Sequence, residues 1–205
     1  MAEQSVPLLS VRGITLRFGG IVALDDVSFD VMPGQIAGLI GPNGAGKTTL
    51  FNCLSRLYQP GAGDIVFEGR SLLTVPRHRI AAVGIGRTFQ HVALFDRMTV
   101  LENVMVGRHS RTGAGFVENA LRLPVVAREE RAARETALAL IDFMNLSAFS
   151  DRVAGGLPFP IRKRVELARA LAAEPKLLLL DEPAAGLNHE EVHTLEGQIR
   201  RVRDV

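Results

Sequence analysis

Residues 36–48 read Ile-Ala-Gly-Leu-Ile-Gly-Pro-Asn-Gly-Ala-Gly-Lys-Thr, which places a short apolar run directly before a glycine-rich run that ends in Lys-Thr. The last eight residues match the pattern G-x-x-x-x-G-K-[ST], and the five before them are apolar enough to form a short strand. Leucine and phenylalanine then recur at helical spacing, at positions 50, 51, 54 and 57. The sequence therefore predicts a strand, a glycine-rich loop and a helix in that order, which is the context of a phosphate-binding loop.

The glycine-rich loop has the chemistry of a site for nucleotide phosphates. Its glycines let backbone N–H groups surround an anion, and a helix that begins near Gly46 directs its positive end at the same place. Lys47 adds a cation for the β- and γ-phosphates, and the Thr48 hydroxyl can ligate Mg²⁺. A glycine-rich turn that caps an ordinary helix is the alternative, and the flanking strand and helix argue against it. The predicted nucleotide-binding residues of the loop are Gly41, Pro42, Asn43, Gly44, Ala45, Gly46, Lys47, Thr48 and Thr49.

Composition indicates an ordinary globular protein. The chain has 205 residues, 47% hydrophobic and 22% charged, which is enough for one core with a further lobe. A formal net charge of +2 is too small for a nucleic-acid binder. The single cysteine, Cys53, excludes an internal disulfide and is predicted to face inward from its helix. The first residues lack the features of a signal peptide, and no apolar run approaches the ~20 residues of a membrane span. We expect a cytosolic protein, or one held at a membrane by a partner.

The remaining pattern predicts an α/β core interrupted by helices. Short alternating runs over 7–31 favour antiparallel strands joined by turns, and the apolar run at 177–180 is typical of a buried parallel strand. The region 92–165 is mostly helical in pattern. We predict turns at 33–34 and 61–64, a further strand at 65–67, and helices at 77–83, 99–107, 126–146, 160–173 and 189–204.

Two carboxylates follow the apolar run at 177–180. Asp181 can hold the hydration shell of Mg²⁺ opposite the Thr48 hydroxyl. Glu182 lies one residue further on, where a carboxylate can polarise water for attack on a γ-phosphate. Acids after an apolar run often mark only the end of a strand, but downstream of a phosphate-binding loop they predict a metal and catalytic site.

Five motifs occur in the order found in ATPase subunits of ABC transporters, and the chain resembles that family over essentially its whole length. Besides the loop at 41–49, they are Arg-Thr-Phe-Gln at 87–90, Arg-Val-Glu-Leu-Ala-Arg-Ala-Leu at 164–171, the segment 177–183, and Ala-Gly-Leu-Asn at 185–188. The resemblance implies an α/β P-loop NTPase core with N-terminal antiparallel β strands and an inserted α-helical subdomain. It implies a single ABC ATPase domain over 1–205, with the nucleotide-binding core at 1–90 and 166–205 and the helical subdomain at 91–165.

Finer details resemble the ATP-binding subunits of branched-chain amino-acid importers. They are Phe-Gln-His-Val-Ala-Leu-Phe at 89–95, Met-Thr-Val at 98–100, Glu-Asn at 102–103 and Pro-Ala-Ala-Gly-Leu-Asn at 183–188. The resemblance implies hydrolysis of ATP, with Mg²⁺, to drive import through integral membrane permease subunits, at the cytoplasmic face of the inner (plasma) membrane. The ATPases of lipopolysaccharide export are similar, differ just after the Asp-Glu-Pro, and are an alternative.

The resemblance also implies roles for residues that the patterns alone leave unassigned. Phe18 matches the aromatic ring that stacks on adenine, and Gln90 matches a glutamine that contacts both Mg²⁺ and the attacking water. The implied catalytic residues are Glu182, Lys47 and Gln90, and the implied metal ligands are Thr48, Gln90 and Asp181. The segment 91–105 is expected to dock on a permease subunit, and Asn188 to cross the interface with a second ATPase subunit.

The signature motif departs from the family. The usual Leu-Ser-Gly-Gly-Gln aligns with Leu157-Pro158-Phe159-Pro160-Ile161, which removes a hydroxyl donor and a backbone N–H. Because the signature of one subunit completes the ATP site of the other, the change weakens the partner's site. The sequence therefore predicts an asymmetric heterodimer with a second ABC ATPase subunit.

The end of the chain is the second departure. The family has one more strand and a switch histidine after the last helix, and Val205 is reached before both. We expect from this a shortened chain that binds nucleotide with weak or no hydrolysis. Two further alternatives stay open at this point: a nucleotide-binding subunit that needs a partner ATPase, and a DNA- or RNA-linked ABC ATPase, against which the low net charge argues.

Overall fold

The computed structural model describes residues 6–88, 92–111 and 124–204. The chain divides into two compact units, Met1–Ile80 with Ile199–Val205, and Ala81–Gln198. The division predicted above, with a helical subdomain at 91–165, stays a prediction.

The first unit contains an antiparallel sheet, as the alternating pattern over 7–31 predicts. Its strands are β1 (Leu9–Phe18), β2 (Ile21–Val31), β3 (Ala62–Phe67) and β4 (Arg70–Ser71). The strand order is β2-β1-β3-β4, and β1 pairs with both β2 and β3. The inward side chains of β1 and β3 form the core on one face, with Leu9, Val11, Ile14, Ile65 and Phe67 all buried.

Strand β3 begins earlier than the sequence predicts. It starts at Ala62, so the turn predicted over 61–64 was wrong for most of its length. Gly63 has a φ of +87°, and a Cβ placed on it would lie 2.4 Å from the carbonyl oxygens of Arg12 and Gly13. The pairing of β1 with β3 is irregular between Arg12 and Thr15. Glycine is therefore required here by the close approach of two backbones, which a turn pattern does not distinguish from a bulge.

Helix α1 (Lys47–Leu54) follows the glycine-rich loop as predicted. It buries Leu50, Cys53 and Leu54, and it ends at Ser55, so position 57 lies outside it. Cys53 faces inward, as expected, and its burial raises the pKa of the thiol to about 11. The helix is thus anchored by one apolar face.

The strand predicted at 36–40 does not form, and this prediction was wrong. Among the described residues no strand pairs with this segment. Ile36 and Leu39 are 52% and 43% exposed, and Ile40 is 95% exposed. A strand needs hydrogen bonds from a neighbour and a buried face for its apolar side chains. In the described part of the chain, residues 36–40 have neither a neighbouring strand to pair with nor a buried face. Gly38 would weaken a strand further, because it has no side chain to pack.

The second unit combines two parallel strands with helices. β5 (Ile85–Arg87) pairs in parallel with β6 (Leu177–Leu179), which confirms the predicted parallel strand, although only Leu179 of β6 is fully buried. The helices that follow α1 are α2 (Ile80–Val83), α3 (Val100–Gly107), α4 (Pro124–Phe143), α5 (Phe159–Leu171) and α6 (His189–Arg203). Helix α3 packs on α4 and α5. None of the described helices is long and apolar enough to cross a membrane.

Candidate functional site

The glycine-rich loop is closed on itself by its lysine. Lys47 Nζ donates to the carbonyl oxygens of Gly41 at 2.7 Å and Pro42 at 2.9 Å, and Ala45 N donates to Pro42 O at 3.2 Å. Asn43 and Gly44 form the turn, so these bonds fold the loop back over the start of α1. The ammonium group is therefore held at the loop, where it can exchange two neutral partners for phosphate oxygens.

Gly46 fixes the junction between the loop and α1. Its φ is +84°, and a Cβ placed on it would lie 2.4 Å from the carbonyl oxygen of Ala23. Leu50 N donates to Gly46 O at 2.8 Å, which starts the helix. Only glycine combines this left-handed conformation with this close approach to β2.

The start of α1 is suited to an anion. No side chain of the described residues caps Gly46, and the first turn contains no acidic residue. Thr48 is exposed and Thr49 half-buried within this turn. Uncapped N–H groups and the helix dipole together favour a bound phosphate.

Phe18 lies at the end of β1 and is 45% exposed. It contacts Tyr58 edge to face, with the ring centroids 5.2 Å apart and the planes at 73°. The prediction that Phe18 stacks on adenine requires an accessible side chain, and the exposed fraction of this residue is compatible with it.

Asp181 lies in the second unit and forms a buried ion pair. Its Oδ2 accepts from Arg87 Nη2 at 3.1 Å, and the side chains of Arg87 and Asp181 are only 10% and 7% exposed. The parallel register places Arg87 beside Leu179, so the ends of β5 and β6 bring the two charges together. The sequence motifs give Arg87 no role of its own, and the position of Arg87 beside Leu179 in the parallel register identifies it as the partner of Asp181.

Glu182 is exposed and its backbone is left-handed, with a φ of +46°. Its carbonyl oxygen accepts a hydrogen bond from Lys163 Nζ of α5 at 3.3 Å. The ammonium of Lys163 also lies 5.6 Å from the centroid of the Phe159 ring. The segment after β6 is therefore held by the helix that begins in the altered signature.

The altered signature forms the start of α5. Pro158 is its N-cap, and Pro160 occupies the first turn, where it has no N–H to offer. Ile161 N and Arg162 N both donate to Pro158 O, at 3.0 and 3.1 Å. The Phe159 ring covers Gly186, since a Cβ there would lie 3.0 Å from Phe159 Cε1. The first turn of α5 therefore has few N–H groups to direct at an anion.

The segment before α3 is held by a buried asparagine. Asn103 Oδ1 accepts from Phe95 N at 2.9 Å, and its Nδ2 donates to Phe95 O at 3.1 Å and Thr99 O at 2.9 Å. Asn103 is fully buried while Phe95 is half exposed. The bonds thus fix the backbone of a loop that presents an aromatic ring to solvent. Gln90 lies outside the described residues, and its predicted role stays a prediction.

The donor groups fit Mg²⁺ by their chemistry. The Thr48 hydroxyl and the Asp181 carboxylate are hard oxygen ligands, which Mg²⁺ prefers. In the described ranges no three His, Cys, Asp or Glu side chains group closely enough to hold a metal ion alone. In proteins, Mg²⁺ commonly keeps several waters and is bound through one or two carboxylates together with substrate phosphates.

Most of the chain matches a known protein family. A family model described as ABC transporter matches residues 24–185. The chain belongs to the ABC transporter family. It is accordingly an ABC-type ATPase with a P-loop NTPase fold, which confirms the family and fold class predicted from the five motifs.

Relatives and solved structures of ABC transporters match nearly the whole chain. The high-affinity branched-chain amino acid transport ATP-binding protein BraF of Pseudomonas aeruginosa is 43% identical over 200 residues, which is 98% of this chain and 78% of BraF. The corresponding protein LivG of Escherichia coli K12 is 42% identical, covering 98% and 79%. The structure of MJ1267, an ATP-binding cassette of an ABC transporter, is 31% identical with a TM-score of 0.83, covering 97% and 78%.

Proposed function

We propose that this ABC-type ATPase hydrolyses ATP to drive an importer of branched-chain amino acids. The observation that carries the proposal is the 42–43% identity, over 98% of the chain, with two ATP-binding proteins named for that transport. The matched residues include the loop, the acidic segment after β6 and the segment before α3. A lipopolysaccharide-export ATPase is the weaker alternative, since neither relative is named for export.

We propose separate residues for binding ATP, for binding Mg²⁺ and for activating the attacking water. Lys47 and the loop at 41–49 bind the phosphates of ATP, and Phe18 stacks on the adenine ring. Thr48, Gln90 and Asp181 bind Mg²⁺, which neutralises charge on the transferred phosphoryl group when bound. Glu182 polarises the attacking water, because it is exposed and its backbone is fixed by Lys163.

The partners follow from the exposed segment before α3 and from the altered signature. We propose that 91–105 docks on an integral membrane permease subunit at the cytoplasmic face of the inner membrane, with Phe95 and Met98 as exposed apolar contacts. The prolines at the start of α5 leave few donors for a second nucleotide, which favours a heterodimer with an ATPase subunit that has a complete signature. A symmetric ATP-bound dimer of this chain alone that hydrolyses both nucleotides would contradict the heterodimer.

Hydrolysis is tested by steady-state turnover of Mg·ATP by the purified chain, with and without its partner subunit. Lys47→Ala should abolish the activity, because the phosphates lose their point charge. Lys176→Ala, at an exposed lysine outside the site, is the matched control and should leave turnover unchanged. Equal rates for the unmodified chain and Lys47→Ala would show that this subunit does not hydrolyse ATP.

The transported solute is tested separately in the cells that carry the gene. Lys47→Ala on the chromosome should lower uptake of radiolabelled leucine, isoleucine and valine, and leave uptake of lysine unchanged. Unchanged leucine uptake together with loss of hydrolysis would assign the ATPase to another transporter.

A further inference from the structure

The buried ion pair between Arg87 and Asp181 joins a cation to a carboxylate that we assign to Mg²⁺. Arg87 is the last residue of β5, and Asp181 comes two residues after β6. The two strands are parallel, and Thr88 N donates to Leu179 O at 3.0 Å, which continues the pairing up to the charged residues. The ends of both strands therefore hold the guanidinium at the carboxylate.

Burial distinguishes this pair from two other arginine–carboxylate pairs of the unit. Arg108 with Glu174 and Arg162 with Asp96 each leave the carboxylate more than half exposed, whereas both members of the Arg87 pair are at most 10% exposed. An ion pair at the surface contributes little to the free energy of unfolding. A buried carboxylate that loses a paired cation is strongly destabilising. Arg87 is thus the group that keeps the charge of Asp181 balanced within the fold.

We propose that Arg87 is a built-in counter-ion that competes with Mg²⁺ for Asp181. Two cations close to one buried carboxylate repel each other, so the guanidinium weakens binding of Mg²⁺. Phosphate oxygens of a nucleotide add negative charge and offset this repulsion. Arg87 therefore acts as a positioning residue that makes tight metal binding depend on bound nucleotide. This inference rests on the proposed assignment of Asp181 to Mg²⁺.

The test removes the charge of Arg87 and follows Mg²⁺ binding without hydrolysis. Thermal unfolding is recorded over a range of Mg²⁺ concentrations, with Mg²⁺ alone and with Mg²⁺ and ADP. Arg87→Met should lower the melting temperature in EDTA, because Asp181 loses its partner. It should also raise the affinity for Mg²⁺ alone on the order of tenfold. A purely structural ion pair would give the loss of stability without the gain in affinity.

Three further variants make the outcome unambiguous. Arg87→Gln keeps a donor for Oδ2 without the charge, so it should fold and still bind Mg²⁺ alone about tenfold more tightly. Arg87→Lys keeps the charge and should retain the weak binding of the unmodified chain. Arg108→Met removes the guanidinium of a surface pair in the same unit and should leave the affinity for Mg²⁺ unchanged.

The variant Asp181→Asn tests the assignment of Asp181 to Mg²⁺ separately from the role of Arg87. Asp181→Asn should weaken binding of Mg²⁺ with ADP if Asp181 is a metal ligand. If Asp181→Asn binds Mg²⁺ with ADP as the unmodified chain does, the metal assignment is wrong. If Asp181→Asn weakens binding but Arg87→Gln and Arg87→Met leave the affinity for Mg²⁺ alone unchanged or lower, the competition between Arg87 and Mg²⁺ is overturned.

Discussion

Lys163 Nζ lies 3.3 Å from the backbone carbonyl oxygen of Glu182 and donates a hydrogen bond to it. Lys163 is a buried residue of α5, so the bond joins the helix that follows the signature to the segment that follows β6. Glu182 has a φ of +46°, a conformation that L-residues seldom adopt. The carboxylate that we propose as catalytic is thus attached to a strained backbone that a neighbouring helix holds in place.

The strain at Glu182 predicts that stability and activity can be separated. The left-handed conformation costs a non-glycine residue about 1–2 kcal/mol, and glycine avoids this steric cost. Glu182→Gly should therefore raise the free energy of unfolding by about 1 kcal/mol, measured by urea denaturation. Glu182→Gln retains the strain and should unfold like the unmodified chain. Both should lose ATP hydrolysis, and identical unfolding curves for the two variants would show that the backbone is unstrained.

Two glycines of the phosphate-binding loop give a matched test of steric fit. Gly44 and Gly46 have φ values of +83° and +84°, but only a Cβ on Gly46 would collide, at 2.4 Å from Ala23 O. Gly44→Ala should lower the free energy of unfolding by about 1 kcal/mol, from the backbone alone. Gly46→Ala should cost clearly more in the same urea denaturation, because the start of α1 must move away from β2. Equal losses would mean that the loop adjusts without cost.

The sequence predicts most of the elements because their signals are local. The capped start of α3, the glycine-rich loop before α1 and the alternating strands are each encoded within a few residues. The strand expected at 36–40 is the exception, since pairing depends on groups elsewhere in the chain that a local apolar pattern does not contain. Tertiary context also explains why glycine is required at position 63, where the backbones of two strands approach closely.

In the candidate site too, the sequence motifs predict some residues, whereas others are identified only by the tertiary structure. The motifs identify Lys47, Asp181 and Glu182 as candidates, because nucleotide chemistry requires those residue types at that spacing. They do not reveal Arg87 or Lys163 as partners, since each is far along the chain from the acidic residue it contacts. The parallel register brings Arg87 to the carboxylate of Asp181, and the packing of α5 brings Lys163 to the backbone carbonyl oxygen of Glu182.

The capping box of α3 predicts a pH dependence of stability. Thr99 Oγ1 accepts from Glu102 N at 3.1 Å, and Glu102 Oε2 accepts from Thr99 N at 2.7 Å. The bond from the Thr99 backbone, followed by that from its side chain, lowers the pKa of Glu102 below its usual 4.5. A lowered pKa means that this stabilisation is present above pH 4.5 and is lost as the pH falls through the lower value of the folded state.

Glu102→Gln tests this dependence. The amide still accepts from Thr99 N but does not ionise, so the variant should be less stable than the unmodified chain at pH 7. The difference in urea midpoint should shrink as the pH falls below 4.5, because the carboxylate of the unmodified chain then becomes protonated. Glu135→Gln, on the exposed face of α4, is a control with no capping role. A difference that stays constant with pH would show that the charge of Glu102 contributes nothing.

The prolines of the signature predict that replacing Pro158 and Pro160 allows two copies of this chain to form a symmetric ATP-bound dimer. Pro160 offers no N–H and Pro158 no hydroxyl at the start of α5. A charge-assisted hydrogen bond to a phosphate contributes about 1.5–3 kcal/mol. We expect the double variant Pro158→Ser with Pro160→Gly, made together with Glu182→Gln to prevent hydrolysis, to form an ATP-dependent dimer in sedimentation velocity. Pro124→Ser, at the first residue of α4, should not do so in the same background. If the double variant dimerises no more than Glu182→Gln alone, the prolines are not what prevents this chain from closing on a second copy of itself.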